Sequence, residues 1–187
     1  MNERLVYKEL QFHLVVCGGA ALIVTRLIRR ATADVDVLAF ATSESADAAP
    51  ALGAISQLPS ELVEEAARVA QDLGLRSDWL NAGPAVELQK FGFPIGIESR
   101  LMRRRYGEGL TIFFVNRWDQ VHLKMLAAMD PKSGERHSRD LLDIEPLENE
   151  VQSTLHWLLA RETSSDFRKK LGQVLNRIGY EKLARAL

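Results

Sequence analysis

Two aspartates lie two residues apart in an otherwise apolar segment. Asp34 and Asp36 belong to ADVDVLAF, whose valines and alternating pattern are typical of a β-strand. Residues i and i+2 of a strand face the same side, about 7 Å apart along the backbone, so we expect the two carboxylates side by side. Because neighbouring carboxylates repel each other, a hard divalent cation such as Mg²⁺ would stabilise the pair. A metal site is therefore one interpretation of this spacing.

The pair also has a purely structural interpretation. Asp34 would cap the start of the strand, and Asp36 would face water beside the basic segment RLIRR. A D-x-D pattern without further context favours this structural interpretation. The residues before the pair decide between the two.

A strand, a glycine turn and a helix precede the pair. The segment LVVCGG is typical of a buried strand that ends at Gly18 and Gly19, and AALIVTRLIRR has helical length and composition. Glycine lets the backbone approach a ligand closely, and the first N–H groups of a helix attract anions. The full order is more specific than Gly-Gly or D-x-D alone. It favours a site for Mg²⁺ and the phosphates of a nucleotide.

The other elements predict a mixed α/β fold, in which a small mixed sheet is flanked by helices and followed by a helical C-terminal part. We expect a short helix over 3–13, a flexible connection over 41–59 and a loop-rich segment over 77–100. Between the last two, a helix begins with Ser60 as its N-cap and ends at Gly74. LTIFFVN is typical of a strand. The later helical segments are RWDQVHLKMLAAMD, RHSRDLLDIEPL, VQSTLHWLLARE and DFRKKLGQVLNRIGYEKLARAL.

Composition narrows the class of protein. The 187 residues are 47% apolar, and the formal net charge of -1 gives no overall basic field for nucleic acid. The one cysteine, Cys17, excludes an internal disulfide and a cysteine-rich zinc site. The N-terminus is too polar for a signal peptide, and no apolar run reaches membrane-spanning length. We therefore expect a cytoplasmic protein with no membrane partner.

The segment GGAALIVTRLIRRATADVDVL resembles the opening motif of the nucleotidyltransferase superfamily, which is a glycine-rich turn, a helix and then D-x-D on the next strand. Its R-x-T-x-D-h-D form, with Arg30, Thr32, Asp34 and Asp36, resembles the branch that contains the AbiEii-type abortive-infection toxins. On this resemblance we divide the chain into a nucleotidyltransferase-like domain and a C-terminal helical segment packed on it. Their ranges are 1–146 and 147–187.

A second block, HLKMLAAMDPKSGERHSRDLLDI, is similar to the downstream signature of that branch. The signature is a lysine on one helix followed by R-D-x-x-D on another. The matching residues are Lys124, Arg139, Asp140 and Asp143. From the start of the first block to the end of the second, they span roughly residues 15–145.

The resemblance implies transfer of a nucleoside monophosphate from a nucleoside triphosphate with Mg²⁺ or Mn²⁺. Asp34 and Asp36 would hold the metal, Lys124 would contact phosphate oxygens, and Asp140 would complete the catalytic set. The expected nucleotide-binding residues are Gly18, Gly19, Arg30 and Thr32.

Several roles have alternatives. Arg30 would bind phosphate or orient the two aspartates, and Thr32 would stabilise the turn before the strand. Glu87 and Glu98 are candidates for a third carboxylate. Without the resemblance, Lys124 would be an ordinary solvent-facing lysine. For Asp143 we favour a structural role, as a cap or as the partner of Arg139.

The acceptor and the partners stay open. The acceptor would be RNA (tRNA by resemblance), a protein or a small molecule, and a toxin of this kind would have a cognate antitoxin protein. The stretch SRLMRRRYGEG, with Arg100, Arg103, Arg104, Arg105 and Tyr106, is a solvated turn or a contact for nucleic acid or triphosphate. The C-terminal helix packs internally or forms an oligomer. A catalytically silent module that binds nucleotide or a partner is the alternative to an enzyme.

Overall fold

The computed structural model describes residues 1–42 and 48–187. Within these ranges the chain forms two compact units, Met1–Asn116 and Arg117–Leu187. The first contains the β-sheet, and the second is helical. These elements confirm a mixed α/β fold with a helical C-terminal part. The domain division between residues 146 and 147 stays a prediction.

The first unit combines helices with a single described sheet. Its helices are α1 Asn2–Tyr7, α2 Gly18–Val24, α3 Ser60–Leu73 and α4 Gly83–Phe91, with a 3-10 turn at Ile97–Arg100. Its strands are β1 Phe12–Cys17, β2 Val35–Thr42, β3 Ala51–Ala54, β4 Leu80–Asn81, β5 Met102–Arg105 and β6 Leu110–Phe114. The strand order is β3-β2-β1-β6-β5, and β4 also pairs with β2. The sheet is therefore mixed and has β5 at one edge.

Strand β1 lies at the centre of the sheet and sets the position of the glycine turn. It runs parallel to β6 and antiparallel to β2, and its last residue, Cys17, pairs with Asp36. The register between β1 and β2 shifts between Val15 and Val16, which is a β-bulge. Bulges bend a strand and redirect its side chains. The end of β1 and Asp36 of β2 are therefore direct neighbours.

One hydrophobic cluster holds helices of the first unit against the sheet. Its buried members are Leu5 of α1, Ala21 of α2, Leu62 and Ala66 of α3, and Leu14, Val16, Val37, Leu80, Leu110 and Phe114 of the strands. Full burial of one leucine or valine side chain stabilises a fold by about 1.5–3 kcal/mol. The cluster therefore holds α1, α3 and the helix that follows the glycine turn, α2, against the sheet.

Trp79 fastens the short strand β4 to α3 and β2. Its indole N–H donates to the carbonyl oxygen of Ala66 at 2.9 Å, and its own carbonyl accepts the N–H of Val35 at 2.6 Å. A two-residue strand has few ladder hydrogen bonds, so it needs support from elsewhere. Trp79 supplies that support.

The second unit consists of helices α5 Arg117–Ala127, α6 Gly134–Ile144, α7 Glu148–Leu159, α8 Ser165–Arg177 and α9 Glu181–Arg185. Helix α5 packs on α6 and α7, and α8 packs on α9. The predicted helices over RWDQVHLKMLAAMD and RHSRDLLDIEPL are confirmed. In the described parts of both units, each helix is too short or too polar to cross a membrane.

Arg117 ties the start of α5 to the junction of α6 and α7. Its Nε and Nη2 donate to the two carboxylate oxygens of Glu150 at 2.9 and 3.1 Å. Its Nη1 and Nη2 donate to the carbonyl oxygens of Ile144 and Glu145, both at 2.8 Å. Glu150 also accepts the N–H of Leu147 at 2.7 Å. The guanidinium thus satisfies carbonyl oxygens at the end of α6, and its partner Glu150 satisfies an N–H group at the start of α7.

Two predicted segments are wrong near the sheet. The helix expected over 3–13 ends at Tyr7, because Phe12 and His13 pair with β6. The flexible connection expected over 41–59 contains β3, which pairs with the second half of β2. Residues 43–47 of that connection lie outside the described residues. Backbone pairing on an existing strand edge does not require apolar alternation, so β3 has no clear signal in the sequence.

Other boundaries also differ. The segment 77–100 contains β4 and α4, and α2 ends at Val24 instead of reaching Arg30. The N-cap of α3 is Pro59, whereas Gly74 ends the helix in a left-handed conformation as predicted. The long C-terminal helix is divided at Gly179, whose φ is 86°.

The Arg117 network predicts the effect of Glu150→Ala. The substitution leaves a half-buried guanidinium and the Leu147 N–H without their acceptor, so the free energy of unfolding should fall by about 2–3 kcal/mol. Urea unfolding followed by circular dichroism measures this change. Glu135→Ala is the control, because its ion pair with Arg139 is exposed on α6 and should contribute about 0.5 kcal/mol or less. Equal effects of the two substitutions would contradict the prediction.

Candidate functional site

The carboxylate of Asp36 lies against the glycine turn that follows β1. Gly18 has a φ of 67°, a left-handed conformation that glycine adopts without strain. A Cβ at Gly18 would overlap Oδ2 of Asp36 and would lie 3.2 Å from its Cγ. The missing side chain of Gly18 therefore makes room for Asp36.

Gly19 makes room for Thr32 in a similar way. A Cβ at Gly19 would lie 2.7 Å from Oγ1 and 3.0 Å from Cβ of Thr32. The Thr32 hydroxyl donates to the carbonyl oxygen of Asp34 at 3.3 Å and lies 3.5 Å from the Asp34 N–H. The structure thus brings Gly18, Gly19, Thr32 and Asp36 together. Direct contact of the glycines with a triphosphate stays a prediction.

Asp34 lies just before β2, which begins at Val35, so the prediction that both aspartates belong to the strand is wrong for Asp34. Both aspartates are half-buried. The hydrogen bonds and charge of Asp78 raise the pKa of Arg76, and the charge of Asp34 raises it further. A guanidinium therefore lies within electrostatic reach of Asp34.

Asn81 contacts the pair, although the sequence did not single it out. Its Nδ2 donates to Oδ1 of Asp36 at 3.1 Å, and the two residues are register partners in the parallel pairing of β2 with β4. Its Oδ1 accepts the N–H of Gly83 at 2.9 Å. The segment NAGP is typical of a loop, and a two-residue strand has no detectable periodicity. Only the folded sheet shows that Asn81 lies beside Asp36.

Arg30 is partly exposed, and both candidates for a third carboxylate are exposed. Arg30 donates from Nη1 to the carbonyl oxygen of Ala31 at 3.3 Å, and both of its predicted roles stay predictions. Glu87 is exposed on α4, and Glu98 is exposed in the 3-10 turn. Among the described residues, no group of three or more His, Cys, Asp or Glu side chains is arranged to hold a metal.

Asp34 and Asp36 nevertheless fit a magnesium ion bound together with a nucleotide. Mg²⁺ keeps several water ligands and commonly uses only one or two protein carboxylates plus substrate phosphates. The two half-buried carboxylates meet that requirement. The donor set is also purely oxygen, as a hard cation prefers.

The second unit brings Lys124 and Asp140 together. Lys124 Nζ donates to Asp140 Oδ2 at 2.7 Å, and the side chains are only 7% and 0% exposed. The alternative of an ordinary solvent-facing lysine is therefore wrong. The two residues meet because α5 packs on α6. The two predicted parts of the site thus belong to different compact units.

His137 lies beside this ion pair. Its Nδ1 is 3.3 Å from Lys124 Nζ. The pKa of His137 is lowered to about 4, mainly by burial and also by the charges of Lys124 and Arg136, while the charges of Asp140 and Asp130 act in the opposite direction. The ring is therefore neutral at neutral pH, and Nδ1 accepts from the ammonium group because a charged lysine can only donate. Lys124 is held from two sides.

Two further motif residues are exposed on α6. Arg139 pairs with Glu135 at 2.7 Å, one turn earlier, which differs from the expected pairing with Asp143. Asp143 is exposed.

Residues 102–105 of the stretch SRLMRRRYGEG form the edge strand β5, and its first two residues belong to the 3-10 turn. Its residues 102–105 are all exposed, and the Arg104 guanidinium lies over the ring of Tyr106, 5.4 Å from the centroid. The Arg105 Nε donates to the carbonyl oxygen of Gly107 at 3.1 Å. Arg104 and Arg105 thus contact an aromatic ring and a carbonyl oxygen on the exposed edge of the sheet.

Comparison with known proteins identified one family. A family model described as a nucleotidyltransferase of unknown function (DUF6036) matches residues 1–183, nearly the whole chain. No curated protein and no solved structure gave a significant match.

The contact between Gly18 and Asp36 predicts the effect of Gly18→Ala. Alanine at this φ costs about 1–2 kcal/mol, and its Cβ must also displace the Asp36 carboxylate. Gly74→Ala is the matched control, because Gly74 has a φ of 65° and nothing within 4 Å of its Cβ position. Urea unfolding should show a larger loss of stability for Gly18→Ala.

The excess cost should disappear when Asp36→Ala removes the carboxylate, since two residues in contact do not contribute additively. Equal costs for Gly18→Ala and Gly74→Ala, or an excess that persists without the carboxylate, would contradict the contact.

The lowered pKa of His137 predicts a loss of stability in mild acid. Between the ordinary value of 6.5 and about 4, the unfolded chain binds a proton at His137 that the folded chain does not bind. The free energy of unfolding should therefore fall as the pH drops through that window. His137→Gln should reduce the fall, as measured by urea unfolding across the window. His156→Gln on the exposed side of α7 is the control and should behave as the wild type; an unchanged fall in His137→Gln would refute the assignment.

Proposed function

Since the chain belongs to the family of nucleotidyltransferases of unknown function designated DUF6036, we propose that it transfers a nucleoside monophosphate from a nucleoside triphosphate to an acceptor hydroxyl. Mg²⁺, or Mn²⁺ in its place, is the proposed cofactor, held by Asp34 and Asp36. The family description supports the reaction class. The cation, the nucleotide and the acceptor belong to our proposal.

The position of the Asp36 carboxylate is the main observation that supports the proposal. Its carboxylate lies against Gly18 on one side and accepts from Asn81 on the other. Asp34 lies two residues earlier, with its backbone bonded to Thr32. A carboxylate that only faced water would not need a glycine turn beside it. The arrangement supports a pair of carboxylates prepared for a ligand.

In the proposed reaction the acceptor oxygen forms a bond to the α-phosphorus of the nucleotide. The bond from that phosphorus to the oxygen that bridges to the β-phosphorus breaks, pyrophosphate leaves, and the hydroxyl proton passes to solvent. A bound Mg²⁺ supplies charge that offsets the negative phosphate oxygens and favours ionisation of the hydroxyl. Asp34 and Asp36 supply its protein ligands, and Arg30 contacts phosphate or orients the aspartates.

Lys124 and Asp140 enter the proposal through their match to the downstream signature and through their burial. Lys124 would present its compact charge to phosphate oxygens, and Asp140 would fix the ammonium group that does so. A buried ion pair contributes little net stability, because desolvation of both charges offsets their attraction. Such a pair supports a functional role more than a stabilising one.

RNA is our preferred acceptor, and the exposed arginines of β5 support it. Arg104 stacks on Tyr106, and such cation–aromatic pairs suit both phosphate and base. A protein or small-molecule acceptor is the alternative. In the finer form of the proposal the protein is an AbiEii-like toxin that is neutralised by a cognate antitoxin. An adjacent gene for a small helix-turn-helix protein would support that form.

A catalytically silent module is the second candidate function. The space at Gly18 and Gly19 is filled by Asp36 and Thr32 of the chain itself, and the described residues contain no three-carboxylate group. Both observations favour a domain that binds a nucleotide or a partner without turnover.

Transfer to total RNA and to lysate proteins separates the two functions. The protein is incubated with each α-labelled nucleoside triphosphate and Mg²⁺, and the label is followed into RNA, protein and small molecules. Asp34→Ala with Asp36→Ala should lower transfer by about a thousandfold, because several kcal/mol of charge stabilisation are lost.

Asp72→Ala with Asp166→Ala is the control for this experiment, since both aspartates are exposed and the change in charge is the same. The control should keep full transfer. Undiminished transfer by the Asp34 and Asp36 variant would refute the site, and Mg²⁺-dependent nucleotide binding without transfer to any acceptor would favour the silent module.

A further inference from the structure

We propose that Asn81 is a positioning residue that fixes the Asp36 carboxylate for a divalent cation. This inference rests on the proposed function, because it assumes that Asp36 is a metal ligand. Three features support it: the position of β4, the orientation of the Asn81 amide and the contacts that the carboxylate makes with both Asn81 and Gly18.

Strand β4 places Asn81 beside Asp36. The strand has only two residues, yet it pairs with β2 at Val35 and Asp36, in the part of β2 that carries the site. Trp79 holds it there through its hydrogen bonds to Ala66 and Val35. Fixing so short a strand restricts the backbone and costs conformational entropy. The result is one polar side chain aligned with Asp36.

The orientation of the Asn81 amide follows from its neighbours. The backbone N–H of Gly83 can only donate, so the amide atom that it meets at 2.9 Å must be the oxygen. The amide nitrogen consequently faces Asp36 and donates to Oδ1. Asn81 therefore presents a donor to the carboxylate rather than a second acceptor.

Asn81 and Gly18 together restrict rotation of the carboxylate. The terminal torsion of aspartate is broad, so an unsupported carboxylate samples many orientations. Here Oδ1 is bonded to Asn81, while Oδ2 occupies the space beside Gly18. A ligand that is held in advance by a hydrogen-bonded partner binds its metal more tightly, and loss of such a partner typically costs about 10–100-fold in affinity.

Asn81 also bonds the turn that opens α4, so the test must separate the two roles. Asn81→Ser keeps a short acceptor for the Gly83 N–H, because serine forms the same kind of turn more weakly. Its side chain is too short to reach Asp36. This substitution therefore removes the donor to the carboxylate while it preserves the turn.

The experiment measures Mn²⁺ affinity of the full chain by electron paramagnetic resonance, with and without a non-hydrolysable nucleoside triphosphate. Thermal unfolding of each variant reports the state of the fold. We compare the wild type, Asn81→Ser, Asp36→Ala and Asn81→Ser in the Asp36→Ala background. Asn176→Ala, at an exposed position of α8, is the control.

We expect Asn81→Ser to weaken Mn²⁺ binding by about tenfold or more at an almost unchanged unfolding temperature. It should have no further effect on Mn²⁺ binding once Asp36→Ala is present, and Asn176→Ala should bind as the wild type. Wild-type affinity in Asn81→Ser would overturn the role of Asn81 and leave the proposed function standing. Failure of the wild type to bind Mn²⁺ under either condition would overturn the metal site, and the role of Asn81 with it.

Discussion

The first unit depends on the close approach of a carboxylate to a backbone turn. Asp36 can occupy its place only because Gly18 has no Cβ, and the chain can turn there only because glycine tolerates a positive φ. The contact lies where β1 ends, since Cys17, the last residue of that strand, pairs with Asp36 of β2. The next residue, Gly19, likewise leaves room for the side chain of Thr32. Sheet, turn and site are therefore parts of a single steric arrangement.

The charged side chains of the two units differ in their exposure to solvent and in their partners. In the first unit the carboxylates remain half-buried, where a cation or water can approach, and Asn81 supplies a neutral donor to one of them. In the second unit the positive and negative charges of Lys124 and Asp140 are withdrawn from solvent into one pair. The neutral ring of His137 extends this pair without adding a charge. The first unit thus contains a half-buried, hydrogen-bonded carboxylate, and the second contains a buried ion pair.

The sequence predicted the parts of the fold that have a period or a strong breaker. The apolar run of β1, the amphipathic helix α5 and the end of α3 at Gly74 all follow from local chemistry. Local chemistry does not predict β4 or the residues around it in the segment 77–100. Their conformation depends on Trp79 and on pairing with β2. The motif therefore predicted the glycines, Thr32 and the two aspartates of the site. Asn81 was not predicted, since its importance comes from a residue that is distant in sequence.

Three consecutive arginines give the edge strand β5 a consequence for the behaviour of many copies in solution. An edge strand carries backbone groups that are ready to pair with a second sheet, and such pairing leads to aggregation. The net charge of the chain is only -1, so overall repulsion between copies is weak near neutral pH. Two β5 strands that met edge to edge would bring two rows of guanidinium groups together. The sheet is thus prevented from growing by local repulsion at the one edge where its side chains are most strongly charged.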